Sequence, residues 1–471
     1  MELPPAILAL IEGLQRDIAE LRAENAALRE EVADLKRRLG KDSSNSGKPP
    51  SSDGLGKKPR VAGSLRGRSG KKSGGQPGHK GDTLRAVAEP DRIVAYEAFA
   101  CEHCASPLSA TMRTGVEKRQ VFDLPQPRLE VTEHQALAYR CPCCDGVTQA
   151  AFPDDVTGHV QYGPRLRAAA VYMNVQQLVP EDRVGDILRD LFGAARLCPA
   201  SITTWVARKA AMLAPFTHHL AKLVARAPVR NLDETGFRIG GKTQWLHTAS
   251  TPDLTHYRVS SKRGAMPEDF EGGVIVHDHF SPYYNLPGVD HALCNAHHLR
   301  ELKALIDIEK EPWARKMSKL LRIARRAVHS AENAGATALS ARKRQRLSSA
   351  YDAITAEGIA FHETQPPLVR AGVRGRYPRR PGHNLLIRLT CFKADTLRFI
   401  ADFAVPFTNN QAERDIRMMK VKMKISGGFR TQAGAEIFAT IRATLSTGRK
   451  QGWNMLDTLA AQPSGLIRAL P

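Results

Sequence analysis

The first forty residues repeat apolar side chains every three to four positions. This heptad pattern predicts a coiled coil over residues 1–40. Leucine at one position and β-branched residues at the other favour a parallel dimer, and Asn25 in the seam favours a fixed register. The alternative is one amphipathic helix packed on its own chain. The two seam positions hold Ile7, Leu14, Leu21, Leu28 and Leu35, and Ile11, Ile18, Asn25, Val32 and Leu39.

Residues 156–225 have the apolar period of helices and contain a helix-turn-helix-like pattern. The first helix is predicted over Val184–Phe192, followed by a turn from Gly193 to Pro199. Ser201 is the predicted N-cap of a second helix that contains Ile202 and Trp205. Because packed helix pairs are common in all proteins, this unit either reads DNA or only packs.

The apolar period changes to that of β-strands in residues 226–290. Four strands are predicted, with Gly240 and Gly241 in the first turn. Further along, Thr408 and Gln411 form a predicted capping box that opens a helix containing Glu413. The predicted strands are Val229–Ile239, Thr243–Ser250, Leu254–Ser260 and Val274–Val276.

Residues 91–155 contain two cysteine pairs with metal-ligand spacing. Cys101 and Cys104 form the first pair, and Cys141 and Cys144 form the second. Four thiolates arranged in this way are typical of a closed structural Zn²⁺ site, so we expect a zinc ribbon rather than free thiols. Alternating residues predict a hairpin within 115–140, and His103 and Cys143 are spare donors.

Composition and length limit the remaining possibilities. A chain of 471 residues predicts two to four folded units. The absence of a long apolar run and of a basic leader argues against a membrane protein and favours the cytoplasm. Residues 41–90 are rich in Ser, Gly, Pro and Lys, which predicts a flexible basic linker that either follows phosphates or is passive.

The net charge of +21 is concentrated in three segments. Residues 41–80 and 311–350 each carry ten Lys and Arg against two acids, and residues 370–380 carry five against none. Clustered positive charge is what a polyanion requires, whereas a merely solvated surface does not explain the clustering. We therefore expect a nucleic-acid partner, contacted in the last segment by Arg374, Arg376, Arg379 and Arg380.

Three carboxylates form a candidate catalytic site. Asp233 lies on the first predicted strand, Asp278 follows the fourth, and Glu413 lies on the later helix. Carboxylates of this kind can hold two Mg²⁺ or Mn²⁺ ions for phosphoryl transfer. Alternatively, Asp233 only marks the end of a strand at the surface, and Glu413 only forms an ion pair with Arg417 four residues later. Lys420 lies on the same helix face as Glu413 and Arg417.

Together these motifs resemble the bacterial insertion-sequence transposases of the sixty-six family. The resemblance spans about residues 40 to 455, and it is more specific than any one motif. The matching words are Gly74-Gly75-Gln76-Pro77-Gly78-His79-Lys80-Gly81, Asp233-Glu234-Thr235-Gly236, Trp245-Leu246-His247, Val276-His277-Asp278, Leu293-Cys294-Asn295-Ala296-His297-His298-Leu299-Arg300-Glu301-Leu302, Asn409-Asn410-x-Ala412-Glu413-Arg414 and Ser426-Gly427-Gly428-Phe429-Arg430.

The resemblance implies a multidomain α+β protein with a ribonuclease H-like α/β catalytic core. That core is split into 226–290 and 395–452 by a basic α-helical insertion over 291–394, and a weakly matched tail follows over 453–471. It also implies a DDE transposase that joins DNA ends carrying terminal inverted repeats to target DNA. Such an enzyme works in the bacterial cytoplasm at the nucleoid, and accessory proteins of the same element are expected as further partners.

The resemblance also implies roles for individual residues. Asp233, Asp278 and Glu413 align with the metal-binding triad, and Lys420 aligns with a basic residue that contacts DNA near the cleaved end. Lys424 lies one turn further along the same helix. For Cys294 and His297 we favour a structural role, with metal binding or ordering of the insertion as alternatives. A DNA-binding regulator with inactive acids and a structure-specific nuclease are the rival functions.

Overall fold

The computed structural model describes residues 5–42, 45–46, 78, 84–125, 127–265, 270–368 and 378–470. Most of the predicted linker over 41–90, together with Arg374 and Arg376, lies outside the described residues. Among the described residues, none of the helices is both apolar and long enough to cross a membrane.

The N-terminal segment is one long helix, α1 (Pro5–Gly40). The predicted helix is therefore confirmed, and its seam residues point into solvent in the single chain, with Leu21 58% and Leu28 60% exposed. Near its end, Arg37 forms an ion pair of 3.0 Å with Glu309 of the insertion. The pairing of two such helices stays a prediction.

The cysteine-rich segment has little regular structure. Its two short strands, β1 (Ala138–Arg140) and β2 (Val147–Gln149), pair antiparallel across the second cysteine pair. The hairpin predicted within 115–140 is wrong, because β1 pairs outside that range. None of the described residues between 84 and 155 is buried, so the alternating side chains have no apolar layer to pack against.

Between the cysteine-rich segment and the sheet lie three α-helices: α2 (Pro164–Val171), α3 (Glu181–Phe192) and α4 (Pro199–Arg226). The helix-turn-helix-like pair is present in α3 and α4. The predicted cap at Ser201 is wrong, because α4 begins at Pro199, whose fixed φ suits the first helical position. The long α4 continues into the main core, where Leu213, Phe216 and Leu220 are fully buried.

A five-stranded mixed sheet forms the centre of the molecule. Its order is β5-β4-β3-β6-β7; β3, β4 and β5 are antiparallel, whereas β3, β6 and β7 are parallel. All four predicted strands are present, and Gly240 and Gly241 turn β3 into β4 with positive φ. β7 was not predicted, since it is short and two of its four residues are polar. The strands are β3 (Val229–Ile239), β4 (Lys242–Ser250), β5 (Thr255–Ser260), β6 (Val274–His277) and β7 (Asp290–Leu293).

A helical insertion follows β7 and has a hydrophobic core of its own, centred on Trp313, Leu321 and Leu386. Its predicted start at residue 291 is wrong by three residues, because 290–293 pairs with β6 in the sheet. The helices are α5 (Asn295–Ala304), α6 (Pro312–Glu332), α7 (Ala341–Glu363), α8 (Pro381–Cys391) and α9 (Lys393–Ala401).

Four helices close the fold. The first, α10, packs on β3 and β4, and the second, α11, packs on α4 and β5. The last two contact α4 and α2, and Leu459 is fully buried, so 453–471 is a packed helical end rather than a loose tail. The four helices are α10 (Asn410–Ser426), α11 (Gln432–Lys450), α12 (Met455–Ala460) and α13 (Pro463–Arg468).

Candidate active site

The three predicted carboxylates come from neighbouring elements. β3 and β6 are parallel partners in which Asn231 lies beside Val276, so Asp233 and Asp278 follow the same register at one edge of the two strands. Glu413 lies in the first turn of α10, which packs on β3. The fold therefore brings two aspartates on adjacent strands to the helix that carries the glutamate.

The pKa of Asp233 depends on its burial and on the other two candidate acids. Burial and the nearby carboxylates of Asp278, Glu234 and Glu413 together raise the pKa of Asp233 to about 8, although Lys420 acts to lower it. Negative groups that share one partly buried space disfavour each other's ionised form. Without a cation, Asp233 therefore keeps its proton at neutral pH, and a divalent cation would favour its ionised form.

Asn409 connects the start of α10 to β3. Its side-chain Nδ2 donates a hydrogen bond of 2.6 Å to the carbonyl of Leu232, and its Oδ1 accepts one of 2.8 Å from Asn231. All three residues are buried. Since Asp233 follows Leu232 and Glu413 follows Asn409 by one helical turn, these bonds hold the start of the helix that carries Glu413 against the part of β3 that carries Asp233.

The predicted capping box of Thr408 and Gln411 is wrong. Asn409 occupies the position before the helix, and no side-chain cap is formed there. Gln411 Nε2 instead donates to the Asp415 carboxylate at 3.2 Å. The N-terminus of α10 is held by tertiary bonds to β3, which a local sequence pattern does not reveal.

A buried ion pair holds the middle of α10. Lys450 Nζ lies 2.8 Å from Asp415 Oδ2, and both side chains are 9% exposed. Thr255 on β5 donates to the same carboxylate at 3.1 Å, and Tyr257 donates to the Asp415 carbonyl at 2.7 Å. These contacts join the helix that carries Glu413 to α11 and to the edge of the sheet.

Glu234, next to Asp233, forms a second buried network that the sequence analysis missed. Its side chain is 2% exposed, pairs with Arg263 at 2.7 Å and accepts a hydrogen bond of 2.6 Å from Tyr283. Arg263 also stacks over Phe280 at 4.1 Å. Because Phe280 and Tyr283 follow Asp278 directly, the network positions the segment after the second aspartate. An acid adjacent to a predicted catalytic acid was the available signal.

Cys294 and His297 lie beside Glu413. Cys294 follows β7, is 1% exposed, and its thiol accepts a hydrogen bond of 3.0 Å from the backbone N–H of Asn409. His297 Nδ1 is 4.0 Å from Glu413 Oε1, and an Arg300 nitrogen is 3.8 Å from the same oxygen. The Cys-x2-His motif thus connects the start of the insertion to the start of α10.

The predicted DNA-contacting residues lie on exposed surfaces. Arg417, Lys420 and Lys424 are exposed along α10 beyond Glu413. Arg379 is exposed and Arg380 is partly buried where α8 begins. The basic residues of 311–350 are exposed on α6 and α7, with Arg325 partly buried; they are Arg315, Lys316, Lys319, Arg322, Arg325, Arg326, Arg342, Lys343, Arg344 and Arg346.

The four predicted zinc ligands form two similar turns. The residue after each pair, Ala105 or Asp145, has a φ of 58°, and its N–H donates to the carbonyl of the first cysteine of its pair at 2.9 Å. A hydrogen bond with Ser106 lowers the pKa of Cys104, and backbone hydrogen bonds from residues 143 and 144 lower that of Cys141. Such thiolates suit Zn²⁺.

The structure does not bring the two cysteine pairs into one four-thiol cluster. Among the described residues, the group of three or more candidate metal ligands within 4.8 Å is formed by Cys294, His297 and Glu413 instead. Since the segment lacks a buried core, joining the pairs through Zn²⁺ would supply the stabilisation that apolar packing does not.

Comparison with known families agrees with these observations. The model described as Transposase IS66 family matches residues 159–437, and the zinc-finger binding domain of transposase IS66 matches 99–145, which includes both cysteine pairs. A family of unknown function matches residues 2–85. A comparison with curated proteins finds no match. The resemblance expected from the motifs is confirmed, and because the first match covers more than half of the chain, the protein belongs to the IS66 family of transposases.

Proposed function

We propose that this transposase is a DDE enzyme in which Asp233, Asp278 and Glu413 form the catalytic triad. The observation that carries the proposal is geometric: the parallel pairing of β3 with β6 sets Asp233 and Asp278 in the same register, and α10, which carries Glu413 in its first turn, packs on β3. Burial and the carboxylates of Asp278, Glu234 and Glu413 raise the pKa of Asp233. These three acids are far apart in the sequence, and only the fold relates Asp233 on β3 and Asp278 directly after β6 to Glu413 on the helix that packs on β3. Groups with strongly shifted pKa values in such a setting are functional-site candidates.

The donor set suits Mg²⁺ or Mn²⁺. Hard divalent cations prefer carboxylate oxygens, and because burial and neighbouring carboxylates raise the pKa of Asp233, a bound cation would favour its ionised form. When bound, a pair of such ions would activate the attacking oxygen and stabilise the leaving oxygen of a phosphodiester. Asp233, Asp278 and Glu413 would hold them.

The chain's own residues would position the DNA. Arg417, Lys420 and Lys424 form an exposed basic row on α10 that starts one turn after Glu413, which suits phosphates close to the acids. In the proposed reaction, hydrolysis of one phosphodiester at the element's end frees a 3′-OH, and that hydroxyl then attacks a phosphodiester of the target DNA.

The sheet supports a ribonuclease H-like core. Three antiparallel strands followed by two parallel ones, in the order β5-β4-β3-β6-β7, place the first acid on the central strand and the second after its parallel neighbour. The helical insertion enters after β7 and returns before α10, so it interrupts the chain between the second and third acids without interrupting the sheet.

The N-terminal units would recognise and pair the DNA ends. Structural Zn²⁺ held by Cys101, Cys104, Cys141 and Cys144 would stabilise a zinc finger that, with α3 and α4, binds terminal inverted repeats. Two α1 helices would pair through their exposed apolar seam, so that both ends are processed in one complex. The surface charge on α6 and α7 would bind the remaining DNA.

Metal binding distinguishes this proposal from a DNA-binding regulator with inactive acids. We expect Mn²⁺ binding, followed by electron paramagnetic resonance in the full chain, to weaken by at least about tenfold in Asp233→Asn, Asp278→Asn and Glu413→Gln. Glu436→Gln is the matched control, because Glu436 is exposed on α11. Unchanged Mn²⁺ affinity in all three variants would favour the regulator.

A structure-specific nuclease on the same fold is the second rival. It would cleave DNA without joining the ends to a target. Incubation of the full chain with Mg²⁺, labelled terminal-repeat DNA and a plasmid target tests the difference, since a transposase yields a covalently joined product. Cleavage of branched DNA with no joined product under any of these conditions would support the nuclease.

A further inference from the structure

Three potential ligands meet where the insertion contacts α10. The sulfur of Cys294, a ring nitrogen of His297 and a carboxylate oxygen of Glu413 all lie within 4.8 Å of one another. Tetrahedral ligands at about 2.0–2.3 Å from a metal lie roughly 3.5 Å apart, so a small inward movement of these atoms would place them around one ion.

Two of these atoms have no hydrogen-bond partner. Within the described part of the chain, His297 Nδ1 and Glu413 Oε1 are buried and unpaired, although they face each other at 4.0 Å. An Arg300 nitrogen lies 3.8 Å from Glu413 Oε1, which is too far for a hydrogen bond. Buried polar atoms without partners are uncommon, and an absent ion is one of their accepted explanations.

Backbone N–H groups surround the sulfur of Cys294. The N–H of Asn409 donates to it at 3.0 Å, and backbone N–H groups of Ala296 and His297 also face it. These N–H groups include the start of α5, where the helix dipole favours a negative charge. Hydrogen bonds of this kind orient a metal ligand and stabilise its thiolate form.

We propose that Cys294, His297 and Glu413 form a second zinc site, separate from the four-cysteine site and adjacent to the catalytic centre. A thiolate, an imidazole and a carboxylate select a borderline-soft cation such as Zn²⁺ over Mg²⁺. The ion displaces the thiol proton, which passes to solvent, and binds one oxygen of Glu413. The other oxygen of Glu413 stays available to the Mg²⁺ ions proposed above.

This site would connect three elements through one ion. Cys294 directly follows β7, His297 lies in the first turn of α5, and Glu413 lies in the first turn of α10. Zn²⁺ would therefore fix the orientation of the catalytic glutamate relative to the insertion. Cys294 and His297 would act as positioning residues, since neither is expected to contact DNA.

The test is the zinc content of the full chain after dialysis against a weak chelator. We expect about two Zn²⁺ per wild-type chain and about one in Cys294→Ser and in His297→Gln. Cys391→Ser is the matched control, because Cys391 is exposed at the end of α8, and it should keep both ions. Substitution with Co²⁺ should give thiolate charge-transfer absorption that decreases in Cys294→Ser.

The outcomes separate this site from the proposed catalytic function. Asp233→Asn should retain both zinc ions and lose Mn²⁺ binding, whereas His297→Gln should lose one zinc ion and retain Mn²⁺ binding. His297 is partly exposed, so its variant is expected to fold, and circular dichroism would check this. Equal zinc content in the wild type, His297→Gln and a folded Cys294→Ser would overturn the proposal, whatever the outcome for Mn²⁺.

Discussion

At the scale of single residues, Asp233 combines two features that disfavour an ionised carboxylate, namely burial and neighbouring acids. Its carboxyl is largely buried and lies near three other acids, so its pKa is about 8 in the folded protein, against an ordinary value of 3.8. A chain selected for stability alone would place an apolar or neutral residue here. The acid is understandable if a cation normally compensates for its charge.

The raised pKa of Asp233 predicts a specific dependence of stability on pH. The unfolded carboxyl ionises near pH 4 and the folded one near pH 8, so its contribution to stability is fully present below about pH 4 and is lost as the pH rises to about 8. With chelator present, the melting temperature of the wild type should therefore decrease relative to Asp233→Asn across this range.

Added Mg²⁺ should reverse that loss in the wild type and have little effect on Asp233→Asn. Asp457→Asn serves as the control, because Asp457 is exposed on α12 and its variant should follow the wild type. A constant difference in melting temperature between wild type and Asp233→Asn from pH 5 to about pH 8 would show that Asp233 has an ordinary pKa.

The buried hydrogen bonds of Asn409 lead to a second prediction for a single residue. Asn409→Ala removes the bonds to Leu232 and Asn231 and leaves buried polar groups unpaired, so the free energy of unfolding should fall by about 1–3 kcal/mol. The rate of DNA joining should fall by a larger factor than the loss of folded protein explains, because the start of the helix that carries Glu413 loses its connection to β3. Asn410→Ala, at the exposed neighbouring position, should be close to neutral in urea unfolding. Equal effects of the two substitutions would remove the positioning role of Asn409.

At the scale of secondary structure, the period of the apolar residues predicted most elements. β3 was predicted with its observed bounds, because eleven residues of strand pattern end at two glycines. β7 was not predicted, because its four residues are held in the sheet by pairing with β6 and do not have an alternating apolar pattern of their own. The predicted caps Ser201 and Thr408 are also wrong. The helix α4 begins at Pro199, before Ser201, and Asn409 rather than Thr408 precedes α10.

The exposed seam of α1 predicts dimerisation of the full chain. Leu21 and Leu28 are more than half exposed in one chain, which costs the hydrophobic stabilisation that a partner helix would supply. Leu21→Asp with Leu28→Asp should convert a dimer to a monomer in sedimentation velocity. Glu20→Ala, outside the seam, should leave the dimer intact. A wild-type chain that sediments as a monomer at micromolar concentration would contradict the coiled coil.

At the scale of the whole molecule, most of the clustered positive charge lies on elements other than those that carry the candidate acids. The acids lie on β3, directly after β6 and on α10, whereas the basic residues of 311–350 are on α6 and α7; Arg417, Lys420 and Lys424 are the basic row on α10 itself. This separation lets the surface attract DNA over a distance while the acids bind cations locally.

The basic segment 370–380 should therefore affect DNA binding without affecting the metal site. Changing Arg374, Arg376, Arg379 and Arg380 to glutamine should weaken binding and reduce the dependence of log K on log salt by about 0.9 for each lost phosphate contact. Fluorescence anisotropy across a salt series measures both. Mn²⁺ binding should stay as in the wild type, and an unchanged salt slope would exclude this segment from the DNA interface.

The candidate site could be predicted from the sequence only in part. Asp233, Asp278 and Glu413 were identified by chain order and by matching motifs, and the family match supports the transposase but does not test these three residues. The supporting residues could not be predicted, because their contacts span long separations. Asn409 reaches Leu232 across 177 positions, and Thr255 reaches Asp415 across 160.

If Asp233, Asp278 and Glu413 form the catalytic triad, these three carboxylates from separate elements must act together in DNA joining. Strand transfer of labelled terminal-repeat DNA by the purified full chain in Mg²⁺, with equal amounts of folded variants, tests this requirement. We expect Asp233→Asn and Glu413→Gln each to reduce the joined product by at least about a thousandfold while Glu436→Gln and Asp457→Asn remain active. Full joining activity in either Asp233→Asn or Glu413→Gln would contradict the assignment of the triad.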